Sequence, residues 1–254
     1  MTTTIVPTPG AVPEAPFWLE LNGRRVATWS CTPEHLHALA LGWLVAEGCL
    51  APGEPLPPVE IVDEGDAIGA RVRVPADRAA RSDAERRHRR EHGCGLVHFL
   101  HCEPHALDRG AGPGTLPDDA DFPTLFRALF AAGDGHRETG GVHAAALSDG
   151  RTLRHHIEEV GRHNAVDKAI GLALLGGEDP AGLGLVLTAR ISGEIALKAA
   201  RARLRWIASR SVPTTLAVQI AGAAGIPILG RAVGKEPRLY APATDDGRRA
   251  GATP

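Results

Sequence analysis

Cys94 stands between two glycines in the run His92-Gly-Cys-Gly-Leu-Val-His-Phe-Leu-His-Cys-Glu-Pro-His105. Flanking glycines let another backbone approach closely and leave a thiolate accessible, and neighbouring imidazole or guanidinium charge lowers a thiol's pKa. A cysteine so placed is a candidate nucleophile. The same stretch admits two other readings. His88, His92, Cys94, His98, His101, Cys102 and His105 form a Cys/His-rich tract of the kind that binds Zn²⁺ or another borderline metal, although the spacings match no standard finger. A plain surface loop is the third.

A second set of polar residues lies further along. Thr139-Gly-Gly-Val-His143 and Glu158-Glu-Val-Gly-Arg-His-Asn-Ala-Val-Asp-Lys168 mix acid, base and imidazole around a helix start, with His163 and Asp167 four residues apart on one helix face. Thr188-Ala-Arg190, Ser209-Arg-Ser211 and Gly230-Arg231 each follow an apolar, strand-like run and abut a helix start, where free N–H groups and the helix dipole favour an anion. Three strand ends bearing Arg and hydroxyls on one rim point to a phosphate-bearing ligand. Ordinary helix capping by Thr188, Ser192, Ser209 and Ser211 is the plainer reading, and the two are compatible. Gly182-x-Gly184 precedes a strand rather than following one, so it is not a dinucleotide fingerprint.

These residues need elements to hold them. Asn22-Gly23 between Phe17-Trp-Leu-Glu-Leu and Arg25-Val-Ala-Thr-Trp predicts a hairpin, because both central residues of a type I′ turn need positive φ. Thr32 reads as an N-cap with Pro33 at the first helical position, ahead of a helix whose apolar stripe is Leu36, Leu39, Trp43 and Leu44 and which stops at Gly48. A Pro-rich connection leads to a strand over 67–74, and 76–91 reads as an Arg-heavy helix with a solvated face. Gly110-Ala-Gly-Pro-Gly114 marks the best boundary. Beyond it, helices near 122–132, 164–175, 193–202 and 213–223 alternate with strands near 142–147, 151–157, 183–188, 204–208 and 226–229. That alternation predicts a largely parallel sheet with helices on its faces.

Composition sets the outer bounds. The chain has 254 residues, 43% apolar and 23% charged, with a formal charge of −2, which argues against a dedicated nucleic-acid or membrane-surface binder. No apolar run approaches the 18 or so residues that cross a bilayer, and the N-terminal run lacks the regions of a signal peptide. Four cysteines are too few for a disulfide scaffold, so a reducing cytoplasm is expected. Only Lys168, Lys198 and Lys235 of the 28 basic residues are lysine, a skew that reads as coding bias.

Taken together, several runs resemble the FdhD/NarQ family of formate dehydrogenase accessory proteins. They are Leu39-Ala-Leu-Gly-Trp-Leu-Val-Ala-Glu-Gly48, Gly93-Cys-Gly95, Thr139-Gly-Gly-Val-His-Ala-Ala-Ala-Leu147, Glu159-Val-Gly-Arg-His-Asn-Ala-Val-Asp-Lys168, Ser211-Val-Pro-Thr-Thr-Leu-Ala-Val218 and Gly225-Ile-Pro-Ile-Leu-Gly230. The resemblance implies an α/β fold: a small β-rich N-terminal domain (15–90), a Cys-bearing loop and linker (91–112), and a cytidine-deaminase-like three-layer α/β/α domain (113–243). It also implies a sulfurtransferase, a carrier that accepts sulfur from a cysteine desulfurase as a persulfide on Cys94. The sulfur passes to the molybdenum (or tungsten) bis-guanine-dinucleotide cofactor destined for formate dehydrogenase. Cofactor contacts are expected from Arg231, Ala232, Val233, Gly234, Lys235 and Glu236, with Arg190, Ser211, His143, Arg162 and His163 around the same cleft and GDP as an analogue. A cytoplasmic homodimer that binds neither nucleic acid nor membrane is the expected form, and no metal ligands are assigned.

The chain departs from the family pattern at named positions. Val97 and His98 stand where a second Cys-Gly is expected, although a persulfide needs only one sulfur. Arg231 replaces an aromatic residue and Val233 a basic one, while Lys235 and Arg238 can restore charge. A non-catalytic relative that binds nucleotide or metal is the alternative. Zinc deamination is excluded, because His143-Ala-Ala145 lacks the catalytic Glu and no cysteine follows Cys102.

Overall fold

The computed structural model describes residues 10–80 and 114–240. Cys94, the Cys/His tract at 88–105, most of the Arg-heavy stretch and the linker up to 113 lie outside the described residues.

The chain opens with the hairpin β1 (Ala15–Leu21) and β2 (Arg24–Cys31). Its turn is made by Asn22 at φ 50° and Gly23 at φ 83°, both positive as a two-residue hairpin requires. Helix α1 (Leu36–Ala46) follows, then β3 (Val59–Asp63) and β4 (Ile68–Val72). The four strands form one sheet in the order β2-β1-β4-β3, with β1 and β4 parallel and the outer pairs antiparallel. Strand β3 lies inside the connection that its prolines suggested was a loop. It starts directly after Pro58 and sits at a sheet edge, the place where a strand tolerates proline.

Thr32 does not cap α1. The helix starts four residues later, behind His35 at φ 52°, which makes no side-chain cap. The reason is competition. Thr32 N–H donates to Glu159 (2.9 Å), its hydroxyl accepts from Val160 N–H (3.2 Å) and its carbonyl accepts from Lys168 Nζ (2.7 Å).

The second part builds a six-stranded sheet. In chain order come α2 (Phe122–Ala131), α3 (Gly135–Thr139), β5 (His143–Ser148), β6 (Leu153–Glu159), α4 (Arg162–Leu175), β7 (Gly184–Leu187), α5 (Gly193–Arg201), β8 (Ile207–Ser209), α6 (Thr215–Ala223), β9 (Ile228–Gly230) and β10 (Arg238–Tyr240). The strand order is β10-β9-β8-β7-β5-β6. The expectation of a largely parallel sheet needs correction. Strands β6, β7, β8 and β9 run one way through helical crossovers, but β5 is inserted antiparallel between β6 and β7, and β10 is antiparallel on the far edge. A tight turn at Asp149-Gly150 leaves no room for a crossover helix between β5 and β6, so that pair must be antiparallel.

Successive residues of these strands face opposite layers. Ala144, Ala146, Val186, Trp206 and Ala208 pack with α2 on one face, while Ala145, Leu147, Leu185, Leu187 and Ile207 pack with α4, α5 and α6 on the other. The second face is continuous with the first sheet through α1, whose residues from Ala38 to Ala46 are all buried. A helical stretch covered on every side should be apolar all round rather than striped, and α1 is so from Ala38 to Ala46.

Helices α1 and α4 meet through glycines. A Cβ on Gly42 would lie 1.8 Å from the Asp167 carbonyl oxygen, and one on Gly171 would lie 1.9 Å from that of Ala38. Among the described residues no helix is long and apolar enough to cross a membrane. Gly171→Ala must force the helices apart and is expected to cost about 3 kcal/mol. Gly182→Ala, where a Cβ meets nothing within 4 Å, should change stability by less than about 0.5 kcal/mol. Urea denaturation of the two variants checks the contrast.

Candidate functional site

The topology brings the polar motifs to one edge of the second sheet. Strands β6, β7, β8 and β9 end there, and the antiparallel β5 and β10 begin there. Along this rim, in strand order from β10 to β6, stand Arg238, Arg231, Ser209-Arg-Ser211, Thr188 with Arg190, His143, and Arg162 with His163. Five inter-strand spacings of about 4.8 Å give the row a length of roughly 24 Å.

Hydrogen bonds stitch the loops of the rim together. Thr188 Oγ1 accepts from Ala144 N–H, tying the end of β7 to β5. The buried Ser209 hydroxyl donates to the Ala189 carbonyl (2.7 Å) and accepts from Ser211 N–H (2.9 Å). Arg231 N–H donates to the Ser211 carbonyl and Ala232 N–H to that of Ser209. The plain capping reading therefore holds for Ser192, which accepts from Ile195 N–H, but α6 is capped by Thr214 rather than by Ser211. Ala232 is buried as an anchor, whereas Arg231, Val233, Gly234, Lys235 and Glu236 are exposed.

The end nearest β6 is set by a buried carboxylate. Glu159 Oε1 accepts from Thr32 N–H (2.9 Å) and Gly161 N–H (3.2 Å), and Oε2 pairs with Lys168 Nζ. Both side chains are almost inaccessible to solvent, so the turn 159–161 that launches Arg162 is fastened to the segment after β2. The sequence pattern marks Glu159 and Lys168, but only long-range pairing shows that they are structural.

His163 and Asp167 share a helix face, as their spacing requires, yet each bonds across to α5 instead of to the other. His163 Nε2 lies 3.1 Å from both Ser192 Oγ and Glu194 Oε2, and Lys198 Nζ lies 2.7 Å from both oxygens of Asp167. Burial pushes the Asp167 carboxyl up to about 6. Burial, with the charges of Lys198, Arg162 and His143 and against that of Glu194, pushes the His163 imidazole down to about 4. His143 is also held below its ordinary value, first by burial and then by Arg162 and His136. Behind His163 a cavity of about 160 Å³ opens between Trp29, Trp43, Glu47, Asp167 and Lys198.

The distribution of partners singles out this rim. Among residues 114–240, Arg137, Arg151, Arg154, Lys168 and Lys198 pair with carboxylates, Arg127 donates to Thr124 and Arg201 to the Ala46 carbonyl, and Arg203 and Arg205 also have partners. Within the same described residues, the side chains of Arg162, Arg190, Arg231 and Lys235 make no hydrogen bond or ion pair. Arg210 and Arg238 only lie over the rings of Phe130 and Tyr240. All six are on the rim or in its β9–β10 loop. Arg210 was signalled by its strand-end position, between Ser209 and Ser211.

The described cysteines are poor nucleophiles. Cys31 and Cys49 are buried, and burial pushes the Cys31 thiol up to about 12.

The FdhD/NarQ family model matches residues 12–245, and the chain belongs to that family. Among its relatives, the sulfur carrier protein FdhD of Burkholderia cenocepacia is 34% identical over 224 residues, covering 84% of this chain and 80% of that one. The protein of the same name from Staphylococcus haemolyticus is 31% identical over 221 residues, covering 86% and 83%. A crystal structure from Desulfotalea psychrophila, assigned as a formate dehydrogenase accessory protein, has the same fold, with a TM-score of 0.68 over 90% of this chain and 86% of that one at 21% identity.

Two predictions follow from the buried charges. Lys168→Met leaves the Glu159 carboxylate buried without its cation and should cost about 3–5 kcal/mol; Lys168→Met with Glu159→Gln should recover part of it, and chemical denaturation of both measures the difference. His163 is charged more readily unfolded than folded, so its favourable contribution is full above its ordinary 6.5 and is lost as pH falls through about 4. Asp167 has the opposite sign, contributing most below its ordinary 3.8 and losing that as pH rises through about 6. His163→Gln should therefore gain on the wild type, on the order of 3 kcal/mol, between pH 7 and pH 4. Paired urea titrations across that range check it.

Proposed function

We propose that this chain is a sulfur carrier for formate dehydrogenase maturation, with Cys94 as the sulfur-bearing residue and the strand-end rim as the seat of its cargo. The observation that supports it best is the rim itself. The arginines and the lysine of residues 114–240 that lack hydrogen-bonding or ionic partners gather where a long anion could lie. An extended row of guanidinium groups suits a dinucleotide that carries several phosphates. The names of the relatives supply the sulfur chemistry and the client enzyme.

In loading, the Cys94 thiolate attacks the outer sulfur of a persulfide on a cysteine desulfurase. The donor's S–S bond breaks, the donor leaves as a thiolate, and a new S–S bond leaves Cys94 as the persulfide. The cargo is the molybdenum bis-guanine-dinucleotide cofactor, for which GDP is the binding analogue. Its phosphates would lie on Arg190, Ser211 and Arg231 through Glu236. Cys31 and Cys49 are buried, which suits neither of them to sulfur transfer. A cytidine-deaminase-like α/β/α domain, a cytoplasmic setting and a homodimer belong to the same reading.

Intact-mass spectrometry after incubation with a cysteine desulfurase and cysteine should show a gain of one sulfur atom. The gain should be reversed by reductant and absent in Cys94→Ala. Calorimetry should show GDP binding, weakened about tenfold by Arg231→Gln. GDP binding with no sulfur gain from an active desulfurase would replace the carrier with a non-catalytic nucleotide-binding protein.

A further inference from the structure

The cavity behind His163 lies where the C-terminal end of α1 meets the start of α4 and the flank of α5. Its walls include the indoles of Trp29 and Trp43, stacked with ring centroids 6.1 Å apart and planes 16° from parallel. Three carboxylates line it, those of Glu47, Asp167 and Glu194, against one ammonium, that of Lys198, which is bound to both oxygens of Asp167. The end of α1 adds the negative pole of a helix dipole. Indole faces beside carboxylates suit a guanidinium, which stacks on a ring while its N–H groups pair with oxygen. The chain builds this arrangement elsewhere: Arg25 lies 4.3 Å over the Trp18 ring and pairs with Glu64 at 2.6 Å.

The sequence supplies cations at the matching place. The run Arg86-Arg-His-Arg-Arg90 carries four guanidinium groups and no carboxylate. At the end of α1, Cys49 and Leu50 N–H turn back onto the Leu44 carbonyl (2.8 and 3.2 Å), and Glu54, shortly after, holds Arg78 through both its oxygens. Ala79 packs against the same core as α1. The described chain therefore stops near that helix end, at Ala80, and Arg86 is six residues further on, within about 20 Å. Cys94 follows Arg90 by four residues, at most about 14 Å.

We infer that the cavity between Trp29, Trp43, Asp167 and Glu194 is the docking site for an arginine of the run Arg86–Arg90 of the same chain, and that this anchor keeps Cys94 within reach of the β6 end of the rim. The docking stands on the cavity, its charge and the course of the chain. Only its use, bringing a sulfur-bearing Cys94 to the cargo, rests on the carrier reading above. A tether of four residues confines the thiol to a small volume and so raises its effective concentration at the rim without any new contact.

The indole Nε1–H resonances of the full chain are the readout. Replacing Arg86, Arg87, Arg89 and Arg90 together by Gln should shift the Trp29 and Trp43 signals and leave that of Trp206, in the other layer, where it was. A synthetic peptide of residues 81–91 added to that variant should restore the wild-type positions saturably, and the same peptide with its arginines replaced by Gln should not. Glu194→Gln in the same background should weaken peptide binding about three- to tenfold. Unmoved indole signals, non-saturating shifts or equal effects of the two peptides would overturn the docking. Wild-type signals that depend on protein concentration would place the run in a second copy and overturn docking within one chain. A nitroxide on Cys94, with Cys102→Ser, should broaden the Trp29 signal, and the broadening should vanish in the four-Gln variant; broadening that persists there would overturn the tether. Absence of a persulfide on Cys94 with these shifts intact would remove the carrier reading and leave the docking standing.

Discussion

The buried carboxylate of Glu159 joins two parts of the chain that are far apart in sequence. Its oxygens gather Thr32 N–H, Gly161 N–H and the Lys168 ammonium, and Lys168 reaches on to the Thr32 carbonyl. Ions in such a place are weak contributors to stability, because desolvation consumes most of the attraction. What they provide is position. With the turn after β6 fastened to the segment after β2, the launch point of α4 is fixed with respect to both sheets. Arg162 and His163 inherit that placement.

Around this junction the molecule sorts its charges. Carboxylates accompany the arginines of the outer surface and the two inner lysines, while the strand-end cations stand apart from them. A formal charge of −2 over the whole chain therefore conceals a concentrated positive edge. The depressed imidazoles of His143 and His163 respond to burial and to that edge alike. Donors held in place before a ligand arrives need little reorganisation to receive it, which is how a fixed rim favours an anion over water.

Local chemistry was legible in the sequence, and long-range chemistry was not. Asn22-Gly23 announces its hairpin because the signal lies within the two residues themselves. The alternation after residue 114 announces crossover helices, and with them the rim, because strand ends that precede helices must share an edge. The turn at Asp149-Gly150 makes β5 antiparallel to β6, but the insertion of β5 between β6 and β7 is hidden, since pairing with β7 is decided forty residues away. The three-residue strand β10 carries too little pattern to register. Thr32 looks like a cap and would be one in isolation, but Glu159 and Lys168 compete for it across the fold. Asp167 and Lys168 stand out in the sequence as part of a polar motif, but their burial and their partners are likewise set across the fold. The motif residues of the rim were visible as strand-end arginines, whereas their lack of partners is a property of three-dimensional neighbours.

The scarcity of lysine has a chemical consequence. Lys168 is sealed against Glu159, and Lys198 is held by both oxygens of Asp167. Lys235, in the exposed loop after β9, is then the one side-chain amine in the chain that a water-borne electrophile meets without resistance. An arginine-rich surface has left the protein with a nearly unique chemical handle. It happens to sit at the edge where the cargo is expected, so an acylating or fluorescent reagent aimed at amines would mark that edge and little else.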